Sequence, residues 1–144
     1  MSVRPPKSLR HQALDCLARR EYSRLELSSR LSQRNPEAQG EDIEAVLDQL
    51  QADQLQDDQR FAQGYTRLRV MRGQGPRKIA YELQLKGVKS ALITEVLAEH
   101  DWSALAQSAL EKKFAHLEAT CWEDRVKRLR FLQQRGFDPQ DVDT

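Results

Sequence analysis

Two neighbouring carboxylates, Asp57 and Asp58, are candidates for acid–base chemistry or for binding a metal ion. Either role needs a base or further ligands at a useful spacing, and none accompanies the pair. The histidines are also isolated from any ligand pattern with cysteines or acids; they are His11, His100 and His116. We therefore interpret the aspartates as capping a helix N-terminus, and we expect a protein without enzyme activity, metal or cofactor.

The segment from Gly73 to Pro76 reads Gly-x-Gly-Pro, which is similar in part to a phosphate-binding loop. Such a loop has a third glycine, a preceding strand and a following Lys-Ser/Thr pair, and this segment has none of them. A turn between two helices explains the residues better, with Pro76 at the first position of the second helix.

The two cysteines, Cys16 and Cys121, are far apart and share no metal-ligand spacing with the histidines. Both lie in helical patterns, so we expect them to pack as small apolar groups in a reducing cytoplasm. No apolar run approaches the roughly 20 residues that span a bilayer. Residues 1–7 also lack the apolar stretch of a secretory signal. We expect a cytoplasmic protein that does not enter a membrane.

Basic side chains are concentrated in the middle of the chain, although the formal net charge is only +1. Residues 60–90 contain one acid, Glu82, and these bases: Arg60, Arg67, Arg69, Arg72, Arg77, Lys78, Lys86 and Lys89. Residues 35–59 contain no base and these acids: Glu37, Glu41, Asp42, Glu44, Asp48, Asp53, Asp57 and Asp58. Because burying unpaired charge is costly, we expect the cations to face water, an acidic partner or phosphates.

Aromatic residues lie among these cations, as they do in proteins that stack single-stranded bases. Helical spacing, however, places Phe61, Tyr65 and Leu68 on one side of a helix. This pattern favours a core role for the rings, and we extend that prediction to Tyr81.

The helices that position these residues recur as a repeat of about 45 residues. The motif Leu-x-x-Arg/Lys-Gly/Asn occurs at 31–35, 83–87 and 132–136, where a cation and a residue that tolerates the left-handed conformation end a helix. An amphipathic helix follows, as Ile43, Val46, Leu47 and Leu50 indicate. We predict an all-α fold of three tandem three-helix repeats in an elongated, curved array.

The predicted boundaries are a flexible arm at 1–7 and repeats at 8–55, 56–99 and 100–144. The final helix would begin near Val142, so the third repeat is predicted to be truncated. The first helices have their own signals. Leu9, Ala13, Leu14 and Leu17 form an apolar face after Ser8, a predicted N-cap, and a third such helix follows Asp101.

The central repeat carries the most specific pattern. Residues 55–69 read Leu-x-Asp-Asp-x-Arg-Phe-Ala-x-x-Tyr-x-Arg-x-Arg, and residues 73–87 read Gly-x-Gly-Pro-x-x-Ile-x-x-Glu-Leu-x-x-Lys-Gly. This resembles the signature of the RecX family, with agreement in the other repeats at 20–27 and 128–137. The resemblance spans residues 8–142. A departure is Asn35-Pro36, which stands where the other repeats have Gly and an apolar residue.

The resemblance implies a modulator that binds the filament of the recombinase RecA in its helical groove and inhibits strand exchange, ATP hydrolysis and co-protease action. A monomer is the simplest expectation for an elongated repeat array. Weak contact with single-stranded DNA would be secondary. The predicted contact residues are Arg67, Arg69, Arg72, Arg77, Lys78, Lys86 and Lys89. The alternative is an autonomous nucleic-acid-binding module, which the acidic block at 35–59 disfavours because it would repel phosphates.

Overall fold

The computed structural model describes residues 7–115, 121–138 and 140, and these residues form α-helices and no strand. The helices are α1 (Leu9–Arg19), α2 (Arg24–Arg34), α3 (Gly40–Ala52), α4 (Asp58–Met71), α5 (Pro76–Leu85), α6 (Ser90–Leu97), α7 (Trp102–Phe114) and α8 (Trp122–Arg135). The prediction of an all-α fold of tandem three-helix repeats is confirmed. Helices α1–α3 and α4–α6 form the first and second repeats, and α7 and α8 are the described helices of the third.

The first repeat starts with two helices that are capped by nearby side chains. Ser8 Oγ accepts a hydrogen bond from the His11 N–H at 3.1 Å, as predicted. At the start of α2, Ser23 and Glu26 form a capping box, in which each side chain accepts a hydrogen bond from the other's backbone N–H. The apolar faces of the three helices meet in one core: Ala13, Cys16, Leu27, Leu31, Ile43, Leu47 and Leu50.

The second repeat follows the predicted start signals. Asp57 Oδ1 accepts hydrogen bonds from the N–H groups of Gln59 (2.8 Å) and Arg60 (3.2 Å), and Pro76 opens α5 at its first position. Gly64 lies inside α4, where glycine costs about 1 kcal/mol relative to alanine. The core of this repeat consists of Phe61, Ala62, Ile79, Leu83, Val88, Ile93 and Val96.

Two apolar residues predicted to lie in this core are exposed instead. Leu68 is 60% exposed and Tyr81 is 62% exposed. Successive helical residues are about 100° apart, so the buried arc of α4 runs from Phe61 to Thr66 and Leu68 lies beyond its edge. Tyr65 is half-buried, so the core prediction is right for Phe61 and only partly right for Tyr65.

The third repeat begins at Asp101, whose Oδ1 accepts a hydrogen bond from the Ala104 N–H at 3.1 Å. Its core consists of Ala106, Leu110, Leu132 and Phe137. Trp102 packs against this core and against that of the second repeat, which joins the two. Val142, near which the final helix was predicted to begin, lies outside the described residues, and so does His116.

The repeated turn closes in the same way in the second and third repeats. Gly87 (φ +81°) and Gly136 (φ +92°) are left-handed, as predicted. The following Val88 and Phe137 N–H groups donate to Leu83 O (3.1 Å) and Leu132 O (2.9 Å), which completes a Schellman motif. Asn35 differs, since its φ is −131°. Its side-chain amide donates to Leu31 O at 2.9 Å, so a side chain replaces the left-handed turn.

The two cysteines have different environments. Cys16 is buried in the first core, as predicted. Cys121 is exposed, so the prediction that it packs in a helix is wrong. Cys121 is exposed because it is the N-cap residue before α8 and does not lie within the helix. Leu14, predicted on the apolar face of α1, is 36% exposed at the edge of that face.

Candidate interaction surface

The cations predicted to bind a partner lie in different settings on the second repeat. Arg69 and Lys86 are partly buried and ion-paired where the first two repeats meet. Arg77 pairs with Asp138 of the third repeat at 2.9 Å. The other four are exposed, and none has an ion-pair partner within the described part of the chain: Arg67, Arg72, Lys78 and Lys89. The sequence identified the cations but did not separate paired from unpaired ones.

A cleft of about 670 Å³ is lined by residues of both the first and the second repeat, and we call it the repeat 1–2 cleft. Glu26 forms part of its wall and accepts hydrogen bonds from Arg20 (3.3 Å), Lys86 (3.1 Å) and the Ser23 N–H (3.1 Å). Burial raises the pKa of Glu26, but the hydrogen bonds from Arg20, Ser23 and Lys86 outweigh burial and hold the pKa below its usual range. Glu26 is therefore a carboxylate at neutral pH.

A second hydrogen-bonded group, centred on Tyr65, lines the same cleft. The Tyr65 hydroxyl donates to the Glu82 carboxylate. Arg69 Nε donates to the Tyr65 oxygen at 3.1 Å and lies 2.8 Å from the Glu82 carboxylate. Burial and the hydrogen bond to Glu82 raise the pKa of Tyr65, so its hydroxyl stays protonated at neutral pH. Arg69 thus stabilises the second repeat, and its charge is largely compensated within the fold.

Buried polar groups join the first and second repeats. The Ser23 hydroxyl donates to Lys86 O at 2.8 Å. The Asp58 carboxylate accepts from the Arg24 N–H at 2.8 Å, and the buried Gln56 amide donates to Asp58 at 2.9 Å. The interpretation of Asp58 as a capping residue is therefore corrected, since its side chain connects α2 to α4 while Asp57 alone caps the helix.

Close backbone contact joins the second and third repeats. The Gly75 N–H donates to Arg135 O at 2.6 Å, and the Arg77 N–H donates to Gly136 O at 2.9 Å. A Cβ atom on Gly75 would lie 2.4 Å from the Phe137 nitrogen, and one on Gly136 would lie 2.4 Å from Lys78 Cβ. The Gly-x-Gly-Pro segment is therefore a turn, as predicted, and also a contact surface that only glycine allows.

The two junctions use equivalent residues. Lys86 and Arg135 each precede the turn glycine of their repeat. The Lys86 carbonyl accepts a hydrogen bond from the Ser23 hydroxyl, and the Arg135 carbonyl accepts one from the Gly75 N–H. Ser23 and Gly75 are both the N-cap residue of the second helix in the preceding repeat. Sequence reasoning missed these contacts, the buried Ser23 and Gln56 and the role of the half-buried Asp58 between the repeats, because hydrophobic periodicity reports packing within a repeat. The feature of the sequence that could have predicted these junctions is the Leu-x-x-Arg/Lys-Gly/Asn turn, which recurs at the same place in each repeat.

Among residues 7–115, 121–138 and 140, no group of three or more His, Cys, Asp or Glu side chains is arranged to hold a metal ion. None of the helices described above is long and apolar enough to cross a membrane.

Consecutive three-helix units that meet through one recurring turn define a tandem helical-repeat protein. Residues 57–97 match the family model of the second three-helix domain of RecX, and residues 99–144 match that of the third. The chain belongs to the RecX family.

Curated relatives support this membership. A "Regulatory protein RecX" of Halorhodospira halophila is 40% identical over 94% of this chain and 84% of the relative. One from Chromohalobacter salexigens is 44% identical over 92% of this chain and 87% of the relative. The crystal structure of RecX from Lactobacillus salivarius superposes with a TM-score of 0.75 at 21% identity, covering 92% of this chain and 88% of that one. At that identity the likeness concerns the fold alone.

Proposed function

We propose that this chain binds the RecA filament on DNA, lies in the helical groove of the filament and inhibits its recombinase, ATPase and co-protease activities. It acts as a monomer in the cytoplasm and without enzyme activity of its own. Membership of a family whose curated relatives are named regulatory proteins supports this role.

The observation that carries the proposal is the set of unpaired cations on the second repeat, Arg67, Arg72, Lys78 and Lys89. They are exposed and form no ion pair with the described residues, so they can pair with carboxylates or phosphates of a partner. Arg69, Lys86 and Arg77, also predicted contacts, would contribute less because each already has a carboxylate partner.

The repeat architecture supports binding to a filament. Repeats that are fixed to each other by direct hydrogen bonds can contact successive protomers together. Several weak contacts made by one connected body add up to a much higher affinity than any one of them alone.

The first test measures ATP hydrolysis by RecA on single-stranded DNA with increasing amounts of this protein. We expect hydrolysis to fall as the protein is added. Unchanged hydrolysis at several-fold molar excess would contradict the proposal.

A variant pair tests the surface. Lys78→Ala with Lys89→Ala should raise the half-inhibitory concentration about tenfold, which corresponds to ~1.4 kcal/mol. The matched control, Arg19→Ala with Arg34→Ala, removes two exposed cations from the first repeat and should change it less than twofold. Equal effects of both pairs would mean that net charge alone, and not the second repeat, determines inhibition.

A further inference from the structure

One face of α4 is apolar and uncovered. Gly64, Leu68 and Met71 follow one another at i, i+4 and i+7, and Leu68 and Met71 are 60% and 80% exposed. They line a groove of about 610 Å³, here called the α4 groove, whose wall is mostly apolar. Its charged lining residues are three cations, Arg20, Arg67 and Lys86, and two acids, Glu21 and Glu26. Both acids are already ion-paired, Glu21 with Arg60 and Glu26 with Arg20 and Lys86.

Gly64 is not required by the fold. A Cβ atom there would meet only the end of the Arg67 side chain, at 3.7 Å, which is ordinary contact. Gly75, Gly87 and Gly136 are different, because a Cβ atom on each would lie within 3 Å of a neighbouring repeat. The bare backbone at Gly64 therefore leaves room in the α4 groove for something outside the described chain, at the expense of helix stability.

The α4 groove continues into a cleft of about 340 Å³ between the second and third repeats, and Met71 lines both. The charged residues that line this second cleft are all cations, so we call it the basic cleft: Arg72, Lys112, Lys113 and Arg135. Helices α4, α7 and α8 end here, and the partial negative charge of their carboxyl ends, about half a unit each, offsets only part of that positive charge.

The chemistry of the two surfaces identifies the class of partner. The exposed lining residues Leu68 and Met71 have no aromatic ring, whereas nucleic-acid bases bind best to aromatic rings. The two aromatic residues of the groove are not free to stack, because Phe61 is buried in the core and Tyr65 is hydrogen-bonded to Glu82 and Arg69. The α4 groove therefore suits apolar side chains of a polypeptide. The adjoining cations suit carboxylates. A second copy of this chain fits poorly, because the apolar residues of its acidic helix α3, such as Ile43 and Leu47, are buried.

We infer that the α4 groove and the basic cleft together bind an acidic polypeptide segment, whose apolar side chains pack over Gly64, Leu68 and Met71 and whose carboxylates reach the four cations. We assign this segment to the partner named under the proposed function, so the identity of the ligand depends on that function being correct. A peptide of the same chemistry tests the site separately.

The direct test measures fluorescence anisotropy of a labelled amphipathic helical peptide with leucines on one face and glutamates on the other. We expect binding that weakens with salt. A peptide with lysines in place of the glutamates should not bind. Tighter binding of a single-stranded oligonucleotide that depends on the same residues would overturn the inference in favour of a nucleic-acid site, and absence of peptide binding would also overturn it.

Gly64→Ala is the most discriminating variant. The added methyl group should raise the thermal midpoint by about 3 °C through helix propensity, yet reduce peptide affinity about fivefold by filling the groove. Gly40→Ala is the matched control, since nothing lies within 4 Å of a Cβ atom there and Gly40 lines neither the α4 groove nor the basic cleft. Unchanged peptide affinity in Gly64→Ala would contradict the inference.

A second pair controls for loss of apolar surface. Leu68→Ser should reduce peptide affinity about tenfold, whereas Tyr81→Ser, with a similar exposed fraction of 62%, should not reduce it. Repeating both measurements with RecA filaments separates the two proposals. Peptide binding without filament binding refutes the proposed function alone, and filament binding that neither Gly64→Ala nor Leu68→Ser weakens refutes this site alone.

Discussion

At the scale of single residues, Glu26 in the repeat 1–2 cleft both caps a helix and pairs with two cations. Its carboxylate completes the capping box of α2 and also accepts hydrogen bonds from Arg20 and Lys86, so it connects a helix start to the next repeat. Glutamine could keep the capping contact but not the ion pairs, so the charge itself can be tested.

We expect Glu26→Gln to lower the free energy of unfolding by about 2 kcal/mol at pH 7, since hydrogen bonds to a charged group are lost. The pKa of Glu26 is lowered in the folded chain, so its charge stabilises the fold above the unfolded pKa of about 4.3. That stabilisation is lost as the pH falls through the lower folded pKa. Urea unfolding followed by circular dichroism should therefore show a difference between wild type and variant that disappears once the pH falls below the lowered folded pKa of Glu26.

Glu95→Gln is the control for this measurement. Glu95 is exposed and has no ion-pair partner among the residues described, so its substitution should change stability by less than about 0.5 kcal/mol at either pH. A Glu26→Gln difference that stays constant with pH would show that packing, and not charge, stabilises this position.

At the scale of elements, the turn glycines have two roles. Gly136 ends α8 with a left-handed residue and also lies against the start of α5, where a Cβ atom would be 2.7 Å from the Lys78 nitrogen. The turn of one repeat is thus the docking surface for the preceding one.

Gly136→Ala should destabilise the chain by about 2 kcal/mol or more, because strain at positive φ adds to the displacement of the Lys78 backbone. Hydrogen exchange measures where the change occurs. The Gly75 and Arg77 amides, which donate across the junction, should lose protection, while the Leu27 amide of the first repeat should keep it. Gly40→Ala should leave all three unchanged. Uniform loss of protection would indicate that the repeats unfold as one unit.

The helices themselves were predictable because their signals are local. Ser8 and Asp57 cap the helices they were predicted to cap, α7 begins directly after Asp101 as expected, and Pro76 opens α5. Local signals did not predict which edge of a helix is uncovered, as Leu68 illustrates, because that depends on where the neighbouring helix lies. The unpaired state of Lys78 and the paired state of Arg69 could not be distinguished for the same reason, since ion-pair partners such as Glu82 come from another helix.

At the scale of the whole molecule, charge of opposite sign is separated between repeats. The acids of residues 35–59 lie mostly on and around α3, and the four unpaired cations among the predicted contacts lie on the second repeat. Part of the acidic charge is compensated, since Arg24 pairs with Glu44 at 2.6 Å and Asp48 at 2.8 Å. A nucleic acid that follows the cations would be repelled where it approaches the remaining acids, which include Glu41 and Asp42.

We therefore expect direct binding to single-stranded DNA to be weak and steeply dependent on salt. Each phosphate contacted contributes a slope of about −0.7 to a plot of log affinity against log salt concentration. Removing Lys78 and Lys89 should reduce the magnitude of the slope by about 1.4, whereas removing Arg19 and Arg34 should leave it unchanged. Fluorescence anisotropy of a labelled oligonucleotide measures both. Nanomolar affinity at physiological salt would contradict this expectation, because free DNA would then compete with the filament for the same cations and the chain would bind nucleic acid in its own right.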